Sequence, residues 1–341
     1  MKVNISSAIN LITRCLNQHI VPYLVSSPGM GKSAIAKVVA DNMGLYLIDM
    51  RLCQMDPTEV NGFPWIHEGV ASYVPMDVFP IVGKAIPDGY KGWLILLDEL
   101  SSALPATQAA AYKLVYDHMV GQTPLHEQCY IMAAGNLSTD NAVVEDMSTA
   151  LASRMVHIHL GTDVNGWKNW AMSKIDPRIL AYVSWKKEEG LNNFDPTSSD
   201  PTFACQRTWE MASKLIKDVP VLSDEDKVLL WGTIGSLAVE FTAFESLTTQ
   251  LPSIEQIVAD PRGVAIPERM DMRYALTAKL VTELNENNAL AVTEFNERFP
   301  MEFVMLFGTI IVSSKQHTLS YPSMVSWLER FTKRFTAASS L

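Results

Sequence analysis

The rhythm of apolar and polar positions changes along the chain. Up to about residue 160, short apolar runs alternate with stretches of helical spacing. This pattern predicts an α/β layer on a parallel sheet. The runs Val21–Ser26, Leu45–Arg51, Trp93–Asp98, Tyr130–Gly135 and Val156–Leu160 are the expected strands, with helices such as Ser33–Asn42 and Thr107–Met119 between them. Each run is short, apolar and followed by a polar or glycine-containing turn, as suits buried parallel strands that carry a site at their C-terminal ends.

Beyond Gly161 the strand signal fades, and residues 166–175, 178–188, 206–218 and 224–248 show helical spacing. Polar residues and prolines gather at Phe194–Thr202, and a second break falls at Pro252–Pro267. The expected organisation is an αβα nucleotide-binding core over 1–163, a small all-α lid over 164–250 and a helical C-terminal extension over 251–341. No internal repeat of 20–50 residues interrupts it.

Composition narrows the class. The chain has 341 residues, 48% hydrophobic and 19% charged, which excludes a disordered, collagenous or mini-protein design. A net charge of −10 argues against a surface built mainly for nucleic-acid backbone, although a local basic patch stays open. Cys15, Cys53, Cys129 and Cys205 show no C-x-x-C spacing, so neither a disulfide framework nor a zinc site is signalled, and a reducing compartment fits. His157 and His159 share a strand face without further ligands at metal spacing, and His67 has no partner of that kind. The N-terminus does not read as a signal peptide and no stretch reads as a membrane span, so a soluble, cytoplasmic protein is expected.

Candidate chemistry begins at Ser26-Ser27-Pro28-Gly29-Met30-Gly31-Lys32-Ser33-Ala34, which joins an apolar run to a helix. In that context it reads as a phosphate-binding loop. The glycines let backbone N–H groups turn toward phosphate oxygens, Lys32 can reach the β and γ phosphates, and Ser33 can ligate magnesium. Ser26 stands where the usual pattern has its first glycine. The run Trp93–Asp98 ends in Asp98 and Glu99. Asp98 is placed to hold magnesium, and Glu99 to polarise a water for attack on the γ phosphate.

With Asp98-Glu99 rather than a lone aspartate, the chain resembles an AAA+ ATPase, and further matches over about residues 8–250 resemble the MoxR group. Pro28 to Ser33 is similar to that group's P-loop, and Leu97-Asp98-Glu99-Leu100 to its Walker B segment. Tyr130 to Asn136 is similar to the sensor 1 strand, which implies that Asn136 orients the attacking water; by itself an asparagine at a strand end is more often a turn former. Leu151-Ala152-Ser153-Arg154-Met155 resembles the segment that supplies an arginine finger to the neighbouring subunit, and Gln206-Arg207-Thr208-Trp209-Glu210 resembles the sensor 2 helix. Without an oligomer Arg154 would be an ordinary surface or salt-bridged arginine, and Arg207 has a helix-surface charge as its plain alternative. Where a finger does act in trans, the effect reaches on the order of 10³-fold in rate.

Met55 to Gly62 followed by Tyr73-Val74-Pro75-Met76 resembles the branch related to CbbQ and NorQ, and viral and phage genomes also encode such ATPases. Gly62 to Tyr73 carries two short extended arms about Glu68-Gly69, a hairpin whose place matches the pore-facing insert of the MoxR group. Trp65 on it suits the pore or a core equally. The resemblance implies ATP and Mg²⁺ as cofactors and a homo-oligomeric ring, expected to be a hexamer. It further implies a protein partner bearing a von Willebrand factor A domain, with remodelling or activation of a protein as the output. The rival classes are a nucleic-acid motor or loader ATPase, disfavoured by charge, and a nucleotide-stabilised scaffold, disfavoured because Glu99, Asn136 and Arg154 are all present.

Overall fold

The computed structural model describes residues 1–140 and 147–338. The last three residues of the expected C-terminal extension thus lie outside the described residues. Two compact units are seen: Met1–Thr162 with Asp195–Ser198, and Asp163–Phe194 with Ser199–Leu341.

In the first unit the elements run β1 (Lys2–Val3), α1 (Ile5–Leu16), β2 (Val21–Val25), α2 (Lys32–Met43), β3 (Tyr46–Arg51), α3 (Pro57–Asn61), β4 (Phe63–His67), β5 (Val70–Val74), β6 (Trp93–Asp98), α4 (Pro105–Tyr116), β7 (Met119–Val120), β8 (Thr123–Pro124), β9 (Cys129–Gly135), α5 (Thr149–Ala152) and β10 (Met155–Leu160). All five expected strands are present within a residue of their ends. The helix expected to reach Met119 stops at Tyr116, because Met119 instead enters the short β7–β8 ribbon.

Six strands form one sheet in the order β1-β10-β2-β9-β6-β3, every pairing parallel. The strand that ends in the phosphate loop, β2, therefore lies beside β9, and β9 lies beside the strand that ends in the two acids, β6. Period-two alternation covers both faces of the sheet. Leu94 and Leu96 of β6 join Leu24, Met132 and residues of α1 and α2 such as Ile12 and Val39. Ile95 and Leu97 face the other way, with Tyr23, Ile131 and residues of α4 such as Leu114. Helices on both faces of a parallel sheet give the α/β P-loop class expected, with a helical remainder.

The Glu68-Gly69 hairpin forms as expected, with Phe63 opposite Val74 and His67 opposite Val70. Its side chains are largely exposed, Trp65 at 60% and Ile66 at 73%, so Trp65 is not a core residue.

The second unit contains α6 (Val164–Ala171), α7 (Pro177–Lys186), α8 (Glu188–Leu191), α9 (Gln206–Ile216), α10 (Asp224–Ile234), α11 (Leu237–Ser246), α12 (Ile254–Ala259), α13 (Met270–Glu283), α14 (Ala289–Asn296), α15 (Met301–Ser314) and α16 (Pro322–Ala338). The helical spacing over 224–248 resolves into two helices. Gly235 breaks them at φ +64°, where a Cβ would stand 2.4 Å from the Thr202 carbonyl oxygen. The break at Pro252–Pro267 holds a helix, α12, started by the capping pair Ser253 and Gln256. Helices before and after residue 250 share one core, in which Tyr182, Trp209 and Phe241 are buried together with Leu280, Phe307 and Trp327. Among the described residues no helix is long and apolar enough to cross a membrane.

Candidate nucleotide site

The phosphate loop leaves buried β2 and enters α2 through two residues in the left-handed region, Gly29 at φ +74° and Gly31 at φ +82°. Side chains disfavour that conformation, which explains glycine at both positions. Gly31 is also the N-cap of α2, so the first N–H groups of the helix open toward the loop without a side-chain cap. Beneath the loop, Met30 is buried in the α1–α2 core and anchors it, while Pro28 is half-buried and Ala34 exposed.

Lys32 turns inward. Its Nζ donates to Asn136 Oδ1 at 2.8 Å, to the Ser26 carbonyl at 3.2 Å and to the Ser27 carbonyl at 3.4 Å, with Ser26 Oγ 3.3 Å away. Ser26, the departure from the usual glycine, is buried and its hydroxyl donates to the Ser27 carbonyl at 3.0 Å. The substitution therefore adds a polar contact inside the loop rather than a side chain in its mouth.

Asp98 sits at the tip of β6, 7% exposed, and accepts a hydrogen bond from Ser33 Oγ at 2.7 Å through Oδ2. Its Oδ1 accepts from the Glu99 backbone N–H at 2.9 Å. The Ser33 hydroxyl and the Asp98 carboxylate are thus adjacent hard oxygen donors, the type that suits magnesium when phosphates and waters supply the remaining positions. Among the described residues no group of three or more His, Cys, Asp and Glu forms a further metal cage.

Glu99 adopts φ +56°, ψ +33°, a left-handed conformation that a non-glycine residue holds at a cost of about 1–3 kcal/mol. Its Oε2 accepts a short hydrogen bond from the thiol of Cys53, in the 3₁₀ turn Leu52–Gln54 after β3. Burial, then the hydrogen bond to Glu99 and its charge, push the Cys53 thiol up to about 11. Asp49, two residues before Arg51 on β3, is also raised, first by burial and then by Asp98, with Arg51 opposing. Arg51 is the register partner of Asp98.

Asn136 directly follows β9. Its backbone N–H donates to Ser101 Oγ at 3.0 Å. The glycine before it is required by packing: a Cβ at Gly135 would lie 2.1 Å from the Tyr23 hydroxyl oxygen and 2.8 Å from Ser101 Oγ. Burial raises the Tyr23 phenol, and a hydrogen bond with Ser101 opposes the rise.

Lys32 is therefore hydrogen-bonded to Asn136 and its chain neighbour Ser33 to Asp98, with Glu99 next to Asp98. Arg154 is placed elsewhere in the first unit: its guanidinium carbon lies 4.6 Å from the Tyr112 ring centre and 4.4 Å from that of Tyr116. Arg207 is exposed in the first turn of α9, in the second unit. Cys53, Ser101 and Tyr23 escaped sequence reasoning because no motif marks them; their link to the site exists only through the strand order.

No protein-family model matches the sequence, and no curated protein matches it. Among solved structures, the chain is similar to a candidate ATPase from Cytophaga hutchinsonii, at 15% identity and a TM-score of 0.38, over 90% of this chain and 81% of that one. It is similar to NtrX from Brucella abortus in complex with ADP, at 13% identity and a TM-score of 0.41, over 88% of this chain and 65% of that one. A mutant of Thermotoga maritima RuvB is similar at 12% identity and a TM-score of 0.35, over 94% of this chain and 85% of that one.

Proposed function

We propose that the chain is a magnesium-dependent AAA+ ATPase of MoxR type, working as a homo-oligomeric ring, a hexamer, that remodels or activates a protein partner. The observation that carries the ATPase reading is the hydrogen-bonded set in which Lys32 meets Asn136 and Ser33 meets Asp98. These residues are far apart in the chain and come together at the C-terminal ends of β2, β9 and β6, where parallel sheets hold their sites.

In this reading the loop N–H groups and Lys32 receive the triphosphate of ATP. Ser33 and Asp98 would hold magnesium, which when bound neutralises charge on the β and γ phosphates. Glu99 takes a proton from water as its oxygen bonds to the γ phosphorus. The bond from that phosphorus to the bridging oxygen breaks, and ADP and inorganic phosphate leave. Asn136 orients the water and Arg154 serves the nucleotide of a neighbouring copy, and Arg207 takes the sensor 2 role that the motif resemblance implies. The ring, the MoxR branch and a partner with a von Willebrand factor A domain rest on the motif resemblance alone.

Phosphate release with ATP and magnesium tests the reading, measured alone, with DNA and with a candidate partner, alongside electron microscopy for ring formation. Lys32→Ala is expected to lose tight ATP binding in calorimetry, and Glu99→Gln to keep binding but stop turnover. Unchanged affinity in the first variant removes the phosphate-loop assignment. Unchanged turnover in the second moves the water-activating role to another residue, and stimulation by DNA alone favours a nucleic-acid motor.

A further inference from the structure

Arg154 lies between α5 and β10. Among the described residues its partners are neutral. Two aromatic faces lie within 4.6 Å of the guanidinium carbon, and Nη1 donates to the Ala150 carbonyl at 2.6 Å. Nε is buried with no hydrogen-bond partner among the described residues. The two tyrosines stand four residues apart on α4, hence on one helix face, with ring centres 6.0 Å apart and planes tilted by 42°. Tyr112 packs on the core between α4 and the sheet, whereas Tyr116 is 57% exposed.

This choice of partners has an electrostatic consequence. A carboxylate would hold an arginine but cancel its charge and compete with any phosphate it was meant to reach. A π face holds the planar guanidinium through its quadrupole while leaving the cation whole. A long arginine side chain otherwise samples many rotamers, and stacking on two rings restricts its plane and reach. Burial does not account for Tyr116, which leaves more than half its surface in solvent beside this cation.

We infer that Tyr112 and Tyr116 are positioning residues, an aromatic clamp that holds the Arg154 guanidinium, still charged, for the nucleotide of a second copy of this chain. The inference rests on the reading of Arg154 as a group that acts in trans.

The test is a double-mutant cycle in the assembly that hydrolyses ATP. Tyr116→Leu removes the exposed ring and lies where the fold tolerates change; Tyr112→Leu, nearer the core, is secondary. Tyr116→Leu is expected to lower kcat by up to about 10²-fold, the scale on which misplacement of a reacting group acts, with little change in KM for ATP. Tyr116→Phe, which keeps the π face, is expected to restore most of the rate. In an Arg154→Ala background the Leu substitution should cost nothing further, because the clamp works only through the arginine. Three results overturn the inference and are distinguishable. If Arg154→Ala abolishes turnover while Tyr116→Leu leaves it intact, the clamp is wrong and the trans role stands. If Tyr116→Leu lowers kcat equally with and without Arg154, the ring is merely structural. If Arg154→Ala turns over at the parent rate, the trans role fails and the clamp with it.

Discussion

Replacing Gly135 by alanine adds one methyl group at the most crowded point of the site. The new Cβ would meet the Tyr23 hydroxyl oxygen at 2.1 Å, Ser101 Oγ at 2.8 Å and Tyr23 Cζ at 2.9 Å, where ordinary contact begins at 3.4 Å. The phenol cannot simply retreat. Tyr23 is 5% exposed, its strand pairs on both sides, and its ring stands edge-on to His157 at 5.2 Å. Overpacking of this kind costs about 1–3 kcal/mol. Displacing Ser101 also weakens its hydrogen bond from the Asn136 N–H, worth about 0.5–1.5 kcal/mol. The expected destabilisation is therefore about 1.5–4.5 kcal/mol. Because two units need not unfold together, hydrogen exchange of the β2 and β9 amides reports it better than a global melt. The same displacement should move the Asn136 amide and lower turnover on the order of 10²-fold. Adding Tyr23→Phe removes the closest atom and should recover part of the loss, with a coupling above about 0.5 kcal/mol. A Gly135→Ala protein with parent-like exchange, or one that Tyr23→Phe does not relieve, refutes this account of the glycine.

The Cys53 thiol, raised from an ordinary 9.0 to about 11, should react slowly with iodoacetamide at pH 8 and several times faster in Glu99→Gln, where the neighbouring charge is gone; an unchanged labelling rate breaks the Cys53–Glu99 link. The sign for stability follows from the same shift. The stabilisation from keeping this thiol neutral is complete below pH 9.0 and disappears as pH rises through about 11, so Cys53→Ala should flatten that part of an alkaline stability profile. In the helical unit, the buried Arg178 forms a bidentate pair with Asp176 at 2.9 and 3.0 Å and caps the Val219 and Ile216 carbonyls. Arg178→Ala should destabilise that unit by about 3–5 kcal/mol, since Asp176 and Glu245 lose their buried counter-charge; a thermal shift under 1 °C would show the cluster to be dispensable.

What the sequence alone determines here is local. Five buried strands are legible because a strand covered on both faces must be an apolar run, and two of the turns with φ above zero announce themselves as Gly29-Met30-Gly31 and Glu68-Gly69. Lys32, Ser33, Asp98 and Glu99 are legible for the same reason: phosphate and magnesium chemistry needs particular side chains at a fixed offset from a strand end, and that offset is written in consecutive residues. Contacts across the sheet are not written that way. Placing β9 between β2 and β6 is a decision about which strands pair, and it brings Asn136 to Lys32 and Ser101 to Asn136, while the pairing of β3 with β6 brings Cys53 to Glu99. Helix packing adds a second such layer. Tyr112 and Tyr116 look like ordinary aromatic positions on α4 until the chain returns some forty residues later and lays Arg154 against them. The helices on either side of residue 250 likewise read as separate segments, because a loop rich in Pro and polar residues looks like a boundary, yet they share one hydrophobic core. Patterning tells which face of an element is apolar; only the three-dimensional packing decides which other apolar face covers it.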